Sequence, residues 1–196
     1  MKFANTYWQQ TPDPAYSVSR RIQEGIDLAV ESESQGFDVA WFGEQHFHNY
    51  GFSPNPLMLA QSVADRTQRL RLGVSVVVLP LWNPIRLAED IAFLDITSGG
   101  RLDVGIGKGY QHVGFRGFNL DIDERHARFD EVLEILLAAW STDELVYEGR
   151  HYSYPHGVNV LPKPAQAPHP PIWFAATSDD SIRYVAKTDF RVFGSA

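Results

Sequence analysis

The chain has no cysteine in 196 residues, which excludes disulfides and thiolate chemistry and fits a reducing compartment. It has no apolar run approaching the roughly 20 residues of a membrane-spanning helix. Its first residues, MKFANTYWQQTPDP, carry no apolar core of a signal peptide. A cytoplasmic protein without membrane contact is therefore the expectation. Basic residues are in deficit, 17 against 24 acidic ones, for a net charge of −7. That argues against nucleic acid as a partner, because a basic face supplies most of that affinity. There is no internal repeat and no low-complexity tract.

What is present is an ordinary globular composition, 44% hydrophobic and 21% charged, with 13% aromatic residues. Short apolar runs alternate with amphipathic stretches. Strands are expected at 2–8, 38–43, 69–80, 101–109, 170–178 and 190–196. Helices are expected at 18–35, 56–68, 84–96, 123–141 and 179–187. The run RLRLGVSVVVLP is apolar almost throughout, as a strand covered on both faces must be. The β-α-β-α order makes the sheet parallel. A doubly wound open sheet and a (β/α)8 barrel both satisfy it. Six strands fall short of the eight of a barrel, and a six-stranded piece leaves two strand edges unpaired. Residues 142–169 interrupt the alternation with a hairpin, expected at 145–147 and 151–154, and a proline-rich crossing.

In parallel α/β folds chemistry gathers at the carboxyl ends of strands. The second strand ends in Glu44, Gln45, His46, Phe47 and His48, inside DVAWFGEQHFHNYGFSPNP. The fourth ends in Gly107-Lys108-Gly109-Tyr110, and the fifth in Thr177-Ser178 ahead of a helix that includes Ser181. An ammonium in a glycine turn and hydroxyls at a helix start suit a phosphate. Equally, Ser178 can be a helix cap and Lys108 a solvated turn residue. The glycines at 105, 107 and 109 alternate and match neither nucleotide-loop pattern. Glu44, His46 and His48 have the spacing of ligands on a strand. They follow a glycine, however, and no other strand end adds a clear ligand, so no metal is expected. Trp8, Trp41, Phe47 and Tyr110 are ring candidates for a pocket wall.

Three blocks, WFGEQHFHNYGFSPNP, LRLGVSVVVLPLWNPIRLAEDIAFLDITSGGRLDVGIGKGY and PPIWFAATSDDSIRYVA, are similar to the bacterial luciferase-like, flavin-dependent monooxygenase family. The resemblance runs collinearly from about residue 3 onward. It implies a TIM barrel of which residues 1–196 form a single domain, incomplete on its C-terminal side at about six βα units. It implies reduced FMN as co-substrate with molecular oxygen and a small organic substrate. The deazaflavin F420 with hydride transfer is the alternative cofactor, and a non-catalytic flavin-binding fragment the alternative role. By position it implies that Lys108 holds the flavin phosphate, with Gly107, Tyr110, Thr177, Ser178 and Ser181 around the cofactor. Ser75-Val76 would be a non-proline cis peptide beneath the ring. Glu44, Gln45 and His46 would be the catalytic strand-end motif. Gln45 stands where the luciferases have their catalytic histidine, and an amide is neither acid nor base near neutral pH. The resemblance further implies a homodimer or heterodimer through the helices at 56–68 and 84–96, and a separate flavin reductase.

Overall fold

The computed structural model describes residues 1–10, 13, 15–176 and 178–194. They form two compact units, one of residues 1–77, 101–106 and 171–196, the other of residues 78–100 and 107–170.

The first unit is built on a parallel sheet. Its strands are β1 (Ala4–Tyr7), β2 (Val39–Phe42), β3 (Arg71–Val78), β4 (Leu102–Gly107), β7 (Ile172–Ala175) and β8 (Arg191–Phe193). They lie side by side in chain order, β1-β2-β3-β4-β7-β8. A doubly wound sheet reverses its strand order at a switch point, so this order selects the barrel type. The sheet is a six-stranded half-barrel.

One face of each strand points into the curl. Trp41 is level with Gly73 on β3, Gly105 on β4 is level with Trp173 on β7, and Ala175 is level with Phe193. The glycines are required by the rings. A Cβ on Gly73 would lie 2.0 Å from the Trp41 indole, and one on Gly105 would lie 2.2 Å from the Val74 carbonyl and 2.7 Å from the Phe193 ring. Trp41 packs edge-on against both Trp173 (5.3 Å) and Phe193 (4.7 Å). Below this plug, the buried Asp103 accepts from Arg71, from the Trp173 indole N–H (3.0 Å) and from Arg191 (3.2 Å). The opposite faces of the strands carry Ala40, Phe42, Leu72, Val74, Val104, Ile106, Ile172 and Phe174, all buried.

The helices of this unit start where their caps dictate. In α1 (Val18–Ser34) the Ser17 hydroxyl accepts from Arg20 N–H, and Gly36, at φ +86°, ends the turn that follows. In α2 (Pro56–Ala64) the Asn55 side chain accepts from Leu57 and Met58 N–H, with Pro56 at the first position. Glu33 of α1 accepts the consecutive backbone N–H groups of Gln68 (3.0 Å), Arg69 (2.5 Å) and Leu70 (2.7 Å). That capture converts the expected end of α2 into a turn leading to β3. The short α6 (Asp179–Val185) follows β7.

The second unit contains α3 (Pro84–Thr97), α4 (His112–Gly117), α5 (Arg125–Ser141) and the antiparallel hairpin of β5 (Leu145–Glu148) and β6 (Ser153–Val158). Asn83 and Pro84 repeat the Asn-Pro start of α2. The hairpin is displaced from its expected position because Glu131 of α5 accepts the backbone N–H groups of Arg150, His151 and Tyr152, together with the His151 ring. Those three donors are lost to the ladder, so β6 begins at Ser153. The proline-rich crossing is anchored by the fully buried Asp95, which accepts from Gln166 N–H (2.8 Å) and its side-chain amide (2.7 Å). α4 was not expected: six residues with two glycines give no periodic signal.

Candidate functional site

In the first unit the candidate residues lie just beyond the carboxyl ends of β1 and β2, with Ser75 and Val76 within β3. Glu44 is buried, and its carboxylate meets the His46 imidazole at 2.8 Å, with the Glu44 side chain fully shielded and that of His46 12% exposed. Such a pair is a charge-assisted hydrogen bond when the ring is protonated and a bond from ring N–H to carboxylate when it is neutral. Gln45 is also buried, and its backbone N–H bonds Ser53 O at 2.9 Å, which ties the strand end to the following loop. Phe47 takes a left-handed backbone, φ +62°, and leaves its ring 57% exposed.

The pleat carries the inner face upward from the aromatic plug. Two residues beyond Gly73 on β3 stands Ser75, half-buried, and its peptide bond to Val76 is cis, as expected from the motif. Two beyond Trp41 on β2 stands Gly43, over which the Trp8 indole lies: a Cβ there would sit 2.6 Å from that ring. Trp8 in turn neighbours Tyr50, 6.0 Å between rings. Trp41, expected as a pocket ring, is instead core, 6% exposed within the plug.

At the far strands, Ser178 is the N-cap of α6, and it and Ser181 form a reciprocal capping box. Ser181 Oγ donates to Ser178 O (2.8 Å) and accepts from Ser178 N–H (3.0 Å), while the two hydroxyls lie 2.9 Å apart. The Ser181 proton is thus spent within the cap. With that proton committed, the hydrogen bond between the two hydroxyls is donated by Ser178, whose oxygen also accepts from Ser181 N–H. Asp179 and Asp180 in the first turn work against an anion there. Thr177 lies outside the described residues.

In the second unit, β4 runs out into Gly107, Lys108, Gly109 and Tyr110. Gly109 needs its positive φ of +76°, and a Cβ would meet Val78 and Phe115 at 2.7 and 2.9 Å. The Lys108 ammonium stands 5.6 Å from the centre of the Phe129 ring of α5, a cation–π contact. Its charge reaches two titrating neighbours. The His126 imidazole is held below its ordinary range by burial and by the like charges of Lys108 and Arg125. The Asp130 carboxyl is pushed up by burial, against the pull of Lys108. Tyr110 is 75% exposed, with the Gln111 amide donating to its hydroxyl at 3.2 Å.

The structure therefore brings together Glu44 with His46, and Ser178 with Ser181, and keeps Lys108 with His126 and Asp130. Sequence reasoning named Trp8 as a pocket ring but missed its grouping with Gly43 and Tyr50, and missed Gln9, whose backbone is left-handed (φ +51°) and whose side-chain amide is buried without a hydrogen-bond partner. Among the described residues no group of three His, Asp or Glu side chains is arranged to hold a metal, and no helix is long and apolar enough to cross a membrane.

The family model for luciferase-like monooxygenases matches residues 3–189. The oxygenase component of a flavin-dependent trigonelline monooxygenase from Acinetobacter baylyi is 32% identical over 186 residues, which cover 94% of this chain and 49% of that protein. Among solved structures, monooxygenase RslO1 from Streptomyces bottropensis matches with a TM-score of 0.90 at 34% identity, over 98% of this chain and 59% of that one. The oxygenating constituent of 3,6-diketocamphane monooxygenase from Pseudomonas putida, a type II Baeyer-Villiger enzyme in complex with FMN, matches with a TM-score of 0.88 at 22% identity. It covers 98% of this chain and 56% of that one, and the likeness is one of fold. The chain spans about half the length of the curated relatives it matches.

Proposed function

This chain belongs to the luciferase-like monooxygenase family, and from that premise we propose that its protein is an oxygenase component that uses reduced FMN and molecular oxygen on a small organic substrate. A separate flavin reductase supplies the reduced cofactor, as the word component in the trigonelline relative's name implies for that protein.

The observation that carries this reading is the inner face above the aromatic plug. The small residues Ser75 and Ala175 stand half-buried on it. The rings of Trp41, level with Gly73 two residues before Ser75, and of Trp173, two residues before Ala175, close it from below. A shelf of small side chains over a packed floor fits a flat tricyclic ring. When bound, the reduced flavin supplies the electrons and the reaction with oxygen.

The protein's own part is to orient, shield and move protons. The Glu44–His46 pair is the proton-handling couple at the carboxyl end of β2. Buried Glu44 fixes the imidazole through their 2.8 Å hydrogen bond, while Gln45 offers hydrogen bonds and no proton transfer. Lys108 is the cation for the flavin phosphate. Ser178 and Ser181, whose hydroxyls are joined in the α6 cap, are the alternative to Lys108 for that role.

The test is equilibrium titration with FMN and with riboflavin. Lys108→Ala weakens FMN binding by about 1.5–3 kcal/mol, the range for a lost charge-assisted contact, and leaves riboflavin almost unchanged. Equal weakening of both ligands would remove Lys108 from the phosphate. A flavin reading with no oxygenated product from any substrate under reduced FMN and oxygen would leave a binding protein in place of an oxygenase.

Association is part of the proposal. α2 exposes Met58 (68%), and α3 exposes Phe93 (59%) and Ile96 (44%). Each helix thus keeps apolar side chains in solvent that a second subunit can cover, as a homodimer or with a related chain. Light scattering that finds only a monomer at micromolar concentration would count against it.

A further inference from the structure

We propose that Trp8 and Tyr50 form an aromatic platform that selects a flat, electron-poor aromatic ring, a cationic one above all, as the substrate of the oxygenase reading given above, on which this inference rests.

The platform is a product of the pleat and of two glycines. Thr6 is level with Trp41, so it shares the inner face of the sheet, and Trp8, two residues on, continues that face beyond the end of β1. Gly43 occupies the corresponding position beyond β2. Having no side chain, it lets the indole lie across the place where one would stand: a Cβ would sit 2.6 Å from Cζ3 and 3.0 Å from Cε3 of Trp8. Gly51 does the same for the loop. Its absent Cβ lets the chain press to the Trp8 carbonyl, 2.6 Å from where that atom would be, and to the Gln45 side chain.

The loop that carries Tyr50 is fastened at several points. Phe52 N–H bonds Gln9 O, Gln45 N–H bonds Ser53 O, and Tyr50 N–H bonds the His48 ring at 3.0 Å. The two rings are therefore held by the backbone, and they are not buried for stability. Trp8 is 39% and Tyr50 48% exposed, with centroids 6.0 Å apart and planes inclined at 56°. Large rings fixed in place on the inner face, at the end of the sheet where the Glu44–His46 pair sits, form a wall that a ligand can stack on.

The chemistry of the ligand follows from the rings. Indole and phenol present electron-rich faces, which attract cations and electron-poor rings and are indifferent to aliphatic chains beyond their area. The net charge of −7 favours a cation over an anion. At 6.0 Å between centroids the two rings touch each other, so a flat ring stacks on the exposed part of the pair and not between its members.

The experiment measures binding of N-methylpyridinium, a flat cation, and of cyclohexylammonium, a cation without a π-face, by ligand-observed NMR. It uses the 196-residue chain and its Trp8→Ala, Trp8→Phe and Tyr50→Ala variants, each checked for native circular dichroism, and FMN affinity is measured in parallel. The wild type binds N-methylpyridinium more tightly than cyclohexylammonium. Trp8→Ala lowers that affinity about tenfold, Trp8→Phe restores most of it, and Tyr50→Ala has an intermediate effect. FMN affinity stays constant across the series. Unchanged pyridinium binding in Trp8→Ala, or no preference for the flat cation in the wild type, overturns the proposal. Loss of FMN affinity in Trp8→Ala overturns it too, because the rings then face the flavin. A wild type that binds the flat probe but no FMN instead refutes the flavin reading and keeps the platform.

Discussion

The indole of Trp41 on β2 meets the ring of Phe193 on β8 edge-on, with 4.7 Å between centroids and 83° between planes. Four strand positions separate these residues along the sheet order. At about 4.8 Å per strand a flat sheet would hold them roughly 19 Å apart. The contact measures how strongly the sheet curls, and the curl depends on Gly73, whose missing side chain is the space the indole fills.

Gly73→Ala is therefore expected to destabilise the protein without changing its fold class. The new methyl lands 2.0 Å from the Trp41 ring, on a side chain that is packed on its other faces by Trp173 and Phe193 and has nowhere to retreat. Overpacking of this kind costs about 1–3 kcal/mol. A lower denaturant midpoint with an unaltered slope is the expected result. Trp41→Ala, which leaves a cavity, costs more, about 3–5 kcal/mol.

Glu33 gives a prediction in pH. Burial pushes its carboxyl up, but the N–H groups of Arg69, Leu70 and Gln68 outweigh burial and hold it below the ordinary glutamate range. A carboxyl held low contributes stability above its unfolded pKa, near ~4.3, and that contribution is lost as pH falls through the folded value. The wild type should thus lose stability in this acid window faster than Glu33→Gln, whose amide does not titrate. At neutral pH Glu33→Ala, which orphans all three donors, should cost about 2 kcal/mol. Thermal unfolding at neutral and acid pH separates the two effects.

The two glutamates that take three successive backbone N–H groups, Glu33 and Glu131, also mark the limit of what the sequence reveals. Strand and helix periods, the Asn-Pro helix starts and the parallel order are local signals, and the elements they announce are present. Where α2 ends and where β6 begins is decided by a carboxylate more than ten residues away, which no period records. The β-α alternation alone left open sheet and barrel undecided; the family resemblance pointed to the barrel, and the strand order bears it out. At the site, Glu44 and His46 were legible as a strand-end motif because they are two residues apart. Trp8 and Tyr50 were not legible as a pair, since only the fold of the loop on Gly43 and Gly51 makes them neighbours.

Asp95 anchors the proline-rich crossing, and its removal should release that segment. The carboxylate is fully buried and holds both the backbone N–H and the side-chain amide of Gln166. Asp95→Ala leaves those donors without partners at a cost of about 1–3 kcal/mol. Limited proteolysis should show faster cleavage within 159–170 while α5 stays protected. Gln166→Ala, which keeps the backbone bond, should open the segment less. Equal protection of wild type and Asp95→Ala would show that the prolines alone hold the crossing.

His126 offers a readout of Lys108 that does not depend on catalysis. Burial comes first in holding its imidazole below the ordinary range, and the ammonium of Lys108 and the guanidinium of Arg125 add to it, partly opposed by Asp130. A group whose charged form is disfavoured by a like charge regains protons when that charge is removed or neutralised. Lys108→Ala should therefore move the His126 titration upward, toward the ordinary histidine value near ~6.5. FMN should do the same to the wild type by placing a phosphate beside the ammonium, whereas riboflavin, with no phosphate, should leave the midpoint where it was. In Lys108→Ala the addition of FMN should produce little further change if the lysine is the phosphate's cation. The ring proton of His126, followed by NMR through neutral pH, reports all four cases. A midpoint that ignores Lys108→Ala would mean that burial and Arg125 set it without the lysine. A shift with riboflavin equal to that with FMN would place the ring system, and not the phosphate, beside α5.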